Sequence, residues 1–177
     1  MKKIVLIAAF AMFSIYGFSQ NALYGVRAGY NISNLNFEPE VPAGVENMHR
    51  NGFAIGFFAE YSLGTNLSLA PEIQFSAEGA KEEFLRIDYI QMPIFFKYKI
   101  GESLSIGLGP QVSLKGHDYE DGMQNLAFSG LGGLEYMISD EFFLDFRYSY
   151  GLTNVFDDET NLEAKNGNMQ IGFGVKF

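Results

Sequence analysis

The chain has 177 residues, a formal net charge of −9 and no cysteine. This length suits one domain with a full core, and no compositional break suggests a second domain. The absence of cysteine excludes disulfides, thiolate metal sites, cysteine nucleophiles and lipidation on an N-terminal cysteine. The acidic balance disfavours nucleic acid as a partner.

The first 19 residues have the features of a secretory signal peptide. Lys2 and Lys3 form a positive start, residues 4–13 are an unbroken apolar run, and Gly17 and Ser19 provide small residues before a cleavage site. The apolar run is only about half as long as a membrane-spanning helix needs, and no later stretch reaches that length. We therefore expect residues 1–19 to be removed and residues 20–177 to form a single exported domain.

The mature chain alternates between apolar and other residues with a period of two, which predicts an all-β fold. The alternation defines eight segments, an even number that is typical of bacterial outer-membrane barrels. They are residues 24–32, 53–62, 67–76, 90–100, 104–115, 126–138, 143–152 and 168–177.

Long and short connections alternate between these segments. Residues 33–51, 77–86, 116–125 and 153–167 are long, whereas residues 64–66, 101–103 and 139–141 are tight. This asymmetry is typical of barrels with short periplasmic turns and long extracellular loops, and an even strand number leaves both termini periplasmic. Pro71 and Pro110 lie inside predicted strands, so we expect bulges, rim positions or shorter strands there.

Residue size predicts which face of the strands points outward. One face carries mostly bulky apolar side chains, whereas the other is rich in glycine, serine and glutamine. An eight-stranded barrel has an interior just wide enough to be filled by side chains, so the bulky face must point outward, towards lipid. The prediction is an eight-stranded antiparallel up-and-down transmembrane β-barrel, with a periplasmic aromatic girdle of Tyr24, Tyr61, Tyr98, Tyr136 and Phe177.

The inward face carries charges of both signs. In so narrow a space charged groups need partners, so we expect a hydrogen-bonded network that fills the lumen. A polar conduit is the alternative. The predicted network contains Arg27, Glu60, Glu72, Lys97, Lys99, Glu135, Asp145, Arg147 and Lys176.

The predicted loops offer little catalytic or metal-binding chemistry. The only histidines are His49 and His117, and neither has a recognisable serine and carboxylate spacing around it. Acidic residues cluster in the loops, but residues 157–161 lack the spacing of a calcium loop. We therefore expect no cofactor, no metal site and no catalytic residue.

Three stretches of sequence carry a resemblance to a known family. They are YIQMP at residues 89–93 continuing to Lys97 and Tyr98, FRYSYGL at 146–152, and IGFGVKF at 171–177. The chain resembles the small outer-membrane β-barrel proteins of Bacteroidota known as the porin family or PorT-like type. The resemblance implies contact with outer-membrane lipid, and recognition by the barrel-assembly machinery through Phe173, Val175 and Phe177.

Three functions remain open at this point. The first is a non-enzymatic envelope role, structural, interaction or porin-like, in which the loops contact an extracellular or envelope partner. The second is an outer-membrane enzyme that acts on lipid or peptide at the extracellular rim through His49 or His117. The third is a secreted lipocalin-like binder with its apolar face inward.

Overall fold

A computed structural model describes residues 22–41, 44–116, 122–157, 160 and 162–177. The predicted signal peptide lies outside these described residues. Within them, eight strands form one closed barrel in which each strand pairs with its neighbours in the sequence and β1 pairs with β8. The strands are β1 Ala22–Glu38, β2 Arg50–Ser62, β3 Leu67–Gly79, β4 Arg86–Ile100, β5 Leu104–Lys115, β6 Leu126–Met137, β7 Phe142–Gly151 and β8 Glu163–Lys176.

All eight pairings are antiparallel, which confirms the predicted fold class. A single turn of 3-10 helix, Glu83–Leu85, lies between β3 and β4. In the part of the chain that the structure describes, no helix is long and apolar enough to cross a membrane.

The two faces of the wall differ as predicted. In β7 every second residue from Phe143 to Gly151 is buried, and the residues between them are exposed. Most bulky apolar side chains point outward, and two of the most exposed are Phe57 at 64% and Leu108 at 69%. An apolar surface that surrounds the whole barrel is stable against lipid and would aggregate in water.

The barrel has two different ends. We call the end with Ala22, Phe177 and the short connections 63–66, 101–103 and 138–141 the turn end. The opposite end, with the connections 39–49, 80–85, 116–125 and 152–162, is the loop end. The predicted connection 116–125 is unchanged, but the other three long loops are shorter than predicted.

Five strands, β1 to β4 and β8, extend further towards the loop end than predicted. The prediction ended them early because the apolar residues change to the inner face there. The pairing of β1 with β8 extends to Glu38 opposite Glu163. In this loop-end part of β1, Leu35 points inward and is fully buried, whereas Asn36 points outward and is exposed. This reversal is expected where the outer surface of the wall faces water, because apolar residues then favour the interior while the period of two continues.

Prolines occur inside strands with no change of register. The β2–β3 pairing keeps the same register on both sides of Pro71, and the β4–β5 pairing keeps it on both sides of Pro110. The expectation of bulges, rim positions or shortened strands was wrong. Pro71, Pro93 and Pro110 each lack ladder pairing on one neighbouring strand and keep it on the other. Because proline has no N–H group, it forfeits pairing on one side only.

The loop end is closed by an apolar cluster inside the barrel, which we call the apolar cap. It joins the loop-end parts of the strands with residues from the loops and the short helix. Folding of these loops and closure of the barrel are therefore coupled. Its buried members are Leu35, Ala80, Leu85, Ile87, Tyr89, Met123, Ala127, Val155, Phe156 and Ala164, and Phe37, Val45 and Leu162 pack against it.

Candidate functional site

Four charged side chains form a ring across the interior near the turn end. The Lys97 ammonium lies 2.5 Å from a Glu60 oxygen and 2.9 Å from a Glu135 oxygen. Lys176 binds the same two carboxylates at 2.8 Å and 2.5 Å. Each cation therefore contacts both anions, and the net charge of this turn-end ring is zero.

Two phenylalanines support the turn-end ring, and glycines make room for them. Lys97 lies over the Phe58 ring and Lys176 over the Phe143 ring, at 5.8 Å and 5.2 Å from the ring centres. The two rings meet edge to face with their centres 5.7 Å apart. A Cβ at Gly25 would collide with Phe58, and a Cβ at Gly174 would collide with Phe143. Small residues on β1 and β8 thus allow large side chains to reach the barrel axis.

A second set of four charges lies next to the ring, towards the loop end. Arg27 donates two hydrogen bonds to Asp145, of 2.9 Å and 2.6 Å, in a bidentate arrangement. Arg147 donates to Glu72 at 2.7 Å, and Glu72 also lies 3.6 Å from Arg27. This middle group again combines two cations with two anions. A Cβ at Gly172 would collide with both Arg27 and Asp145.

The structure brings together eight of the nine residues of the predicted network and places Lys99 outside it. The Lys99 side chain is exposed at the turn end, and no carboxylate of the described residues lies within ion-pair distance. The physical reason is its position one residue before the end of β4, where a long side chain reaches water.

A third layer, which the sequence reasoning missed, lies between the middle group and the apolar cap. We call it the polar layer. Its centre is Glu78, which lies in the predicted connection 77–86 and in the observed strand β3. The period of two from Gln74 through Ser76 to Glu78 is the signal that could have identified it. The layer contains Asn31, Gln74, Ser76, Glu78, Gln91, Asn166, Asn168 and Gln170, all buried.

Residues 18–157 match the family described as "Outer membrane protein beta-barrel domain". The chain belongs to this family. Its place is therefore the bacterial outer membrane, where an exposed apolar face is typical of barrels of this kind.

Solved structures of outer-membrane proteins have the same fold. Neisserial surface protein A is 17% identical with a TM-score of 0.60, and the match covers 89% of this chain and 100% of that one. Ail, the attachment invasion locus protein of Yersinia pestis, is also 17% identical, with a TM-score of 0.56 and the same coverage. No curated protein matches the chain in sequence. At these identities the likeness concerns the fold alone.

In this outer-membrane barrel, the five residues predicted as a girdle lie near the turn end. Tyr24, Tyr98, Tyr136 and Phe177 point outward and are at least half exposed, and Tyr61 is partly buried. The main chains of Tyr24 and Phe177 exchange two hydrogen bonds, of 3.0 Å and 2.8 Å, where the barrel closes. Phe173 also points outward and stacks on Phe142, with ring centres 5.8 Å apart.

The loop end brings together few groups that could perform chemistry. His49 is exposed, pairs through its main chain with Ala80, and forms no side-chain hydrogen bond with a described residue. His117 lies outside the described residues. Among the described residues, no three histidine, aspartate or glutamate side chains are grouped so that they could hold a metal ion.

Proposed function

We propose that this protein is a non-enzymatic outer-membrane barrel with a sealed lumen, of the porin-family or PorT-like type of Bacteroidota. Its role is to present its loops to a partner outside the cell or in the envelope. The observation that carries this proposal is the filled interior, where the turn-end ring, the middle group, the polar layer and the apolar cap follow one another along the axis. Solute passage would require several of these layers to open together.

The two different ends of the barrel suggest how it is oriented in the membrane. The turn end faces the periplasm and the loop end faces the outside, because outer-membrane barrels have short periplasmic turns and longer extracellular loops. Residues 1–19 are removed during export. The alternation of Phe173 and Val175 on the outer face of β8 with Phe177, directly after the strand, is the feature that the barrel-assembly machinery recognises.

The exposed groups of the loop end fit an interaction surface. Glu40, Glu46 and Glu83 are exposed at this end, and so are the apolar side chains of Met48 and Phe84, at 49% and 62%. Lys81 and Arg86 are exposed there too, so carboxylates outnumber cations in this set. Exposing apolar side chains to water, and grouping several carboxylates that repel one another, raises the free energy of an isolated loop. A partner that covers the apolar groups and pairs with the carboxylates removes both costs. The partner that suits this surface presents basic and apolar groups.

Conductance measurements test the sealed lumen. The purified protein in planar bilayers should give no large, stable channels, and it should migrate faster on gels before heating than after. A variant that opens the ring, Glu60→Ala with Lys176→Ala, should conduct more than the wild type. Leu108→Ala, on the lipid face, serves as the control. Large stable channels in the wild type would disprove the sealed lumen.

Orientation can be tested with single cysteines, because the natural chain has none. Phe84→Cys at the loop end should react with a membrane-impermeant maleimide on intact cells. Thr65→Cys, in the connection between β2 and β3, should react only after the outer membrane is permeabilised. The opposite labelling pattern would reverse the assignment.

A further inference from the structure

Glu78 differs from the other interior carboxylates in its partners. Its oxygens accept hydrogen bonds from four neutral side chains: Ser76 at 2.7 Å, Gln91 at 2.9 Å, Asn168 at 2.9 Å and Asn166 at 2.5 Å. No lysine or arginine of the described residues forms an ion pair with it, although only 1% of the residue is exposed. The carboxylates of the turn-end ring and the middle group all bind cations.

The charges of the interior confirm this difference. The turn-end ring and the middle group each contain two cations and two anions, so each is neutral. Lys115 is also buried, but its ammonium donates to the Met123 carbonyl at 3.2 Å, and the described ion pairs include none between Lys115 and Glu78. When Glu78 is ionised, the polar layer therefore holds one negative charge without a lysine or arginine of the described residues paired with it, which is costly in a low-dielectric interior.

The same layer contains amide oxygens that have no donor. The Oδ1 atoms of Asn31, Asn166 and Asn168 are buried and accept no hydrogen bond from any described residue. Their orientations are determined, because Asn166 and Asn168 donate Nδ2 to Glu78 and Asn31 donates Nδ2 to Ser76 at 2.9 Å. Turning Asn166 or Asn168 over would bring its oxygen against a carboxylate oxygen. Asn166 and Asn168 lie two residues apart on the inner face of β8, whereas Asn31 is four positions along β1 from Leu35, the partner of Asn166, and is too far from Asn166 to share one ion with it.

We propose that the polar layer binds one monovalent cation of the Na⁺ class, through the Glu78 carboxylate and the amide oxygens of Asn166 and Asn168. Carboxylate and carbonyl oxygens are the ligands of hard cations. Among the described residues the Oε2 atom of Glu78 accepts only the bond from Asn166, so it keeps a lone pair for a further ligand. A single positive charge neutralises the layer, whereas a divalent ion would leave it positive.

The position of the site explains how such an ion would be retained. The apolar cap lies on one side and the middle group lies on the other, so the ion would be enclosed when the barrel closes. Cation binding should therefore contribute to the stability of the folded barrel and accompany folding. This role is independent of the loop surface and of lumen conductance.

Diffraction provides the direct test. Crystals of the wild-type protein folded and grown in RbCl, with data collected at the rubidium absorption edge, should show an anomalous peak in contact with Glu78 and the asparagine oxygens. A peak without anomalous signal, which indicates water, would overturn the proposal. So would the absence of any peak there. This experiment needs no variant, so it stands even if substitutions prevent folding.

A stability measurement tests the same site in solution. The protein is folded from urea into lipid vesicles in 200 mM NaCl or in N-methylglucamine chloride at equal ionic strength. Sodium should lower the unfolding equilibrium constant by about 10-fold, as expected for a ligand present at about ten times its dissociation constant. Glu78→Gln should abolish this difference, and Glu83→Gln, an exposed control, should retain it. Equal stability of the wild type in the two salts would contradict cation binding and would fit a protonated Glu78 instead.

Discussion

Replacing Lys176 with methionine should reveal how strongly the turn-end ring stabilises the barrel. Lys176 contacts Glu60 and Glu135 and lies over Phe143, so the change removes two charge-assisted hydrogen bonds and a cation–π contact. It leaves two carboxylates to share Lys97. Removing one partner from a buried ionic group costs about 3–5 kcal/mol. We expect about 3 kcal/mol, the lower limit, because Glu60 is 15% exposed near the mouth.

A double-mutant cycle separates this electrostatic effect from lost packing. Lys176→Met with Glu135→Gln leaves Lys97 and Glu60 as a neutral pair, so the double variant should be more stable than the sum of the single effects predicts, by about 2 kcal/mol. Lys99→Met is the matched control and should change stability by less than about 0.5 kcal/mol. The chain has no tryptophan, so urea unfolding in vesicles is followed by circular dichroism and gel migration. Additive single effects, or a cost of Lys176→Met below about 1 kcal/mol, would refute a coupled ring.

Three further changes test other parts of the barrel. Gly172→Ala should destabilise it by about 1–3 kcal/mol in urea unfolding, because the new methyl group collides with Arg27, whereas Gly130→Ala, with open space outside the wall, should be neutral. Phe177→Ala should lower the amount of assembled barrel in cells without lowering its folding yield in detergent; equal amounts in cells would argue against recognition of the terminal residue. His49→Ala should leave the mass-spectrometric profile of envelope lipids unchanged, and an altered profile would favour an enzyme.

The sequence predicts the membrane-embedded part of the fold well because lipid imposes a simple rule. Where the wall faces lipid, every outward residue is apolar, so the strands from Tyr24 to Tyr30 and from Phe53 to Tyr61 are evident from the alternation. The rule changes where the wall leaves the membrane. Leu35 and Ala164 are apolar and point inward, so a search for outward apolar residues ends the strands too early. Glu78 was missed for this reason.

The contacts of the interior are less accessible to sequence reasoning than its composition. Alternation shows that Arg27 and Asp145 both point inward, but they are 118 positions apart and meet only because the barrel closes between β1 and β8. The stagger between strands determines which charges share a level, and no local pattern encodes it. Lys99 illustrates the limit, because it has the inward phase of Lys97 yet lies beyond the filled part of the lumen.

The distribution of charge in the barrel argues that recognition takes place outside the lumen. Each of the four cations in the turn-end ring and the middle group pairs with a carboxylate of its own group. Glycines in the wall leave the space that Arg27 and the supporting phenylalanines occupy. A solute that entered would have to displace these contacts, and each broken buried pair costs several kcal/mol. The acidic and apolar groups of the loop end carry no such cost, because Glu83 and Phe84 are already exposed to water. The interior therefore stabilises a rigid support, which favours the proposed role of the loop end as the surface that contacts a partner.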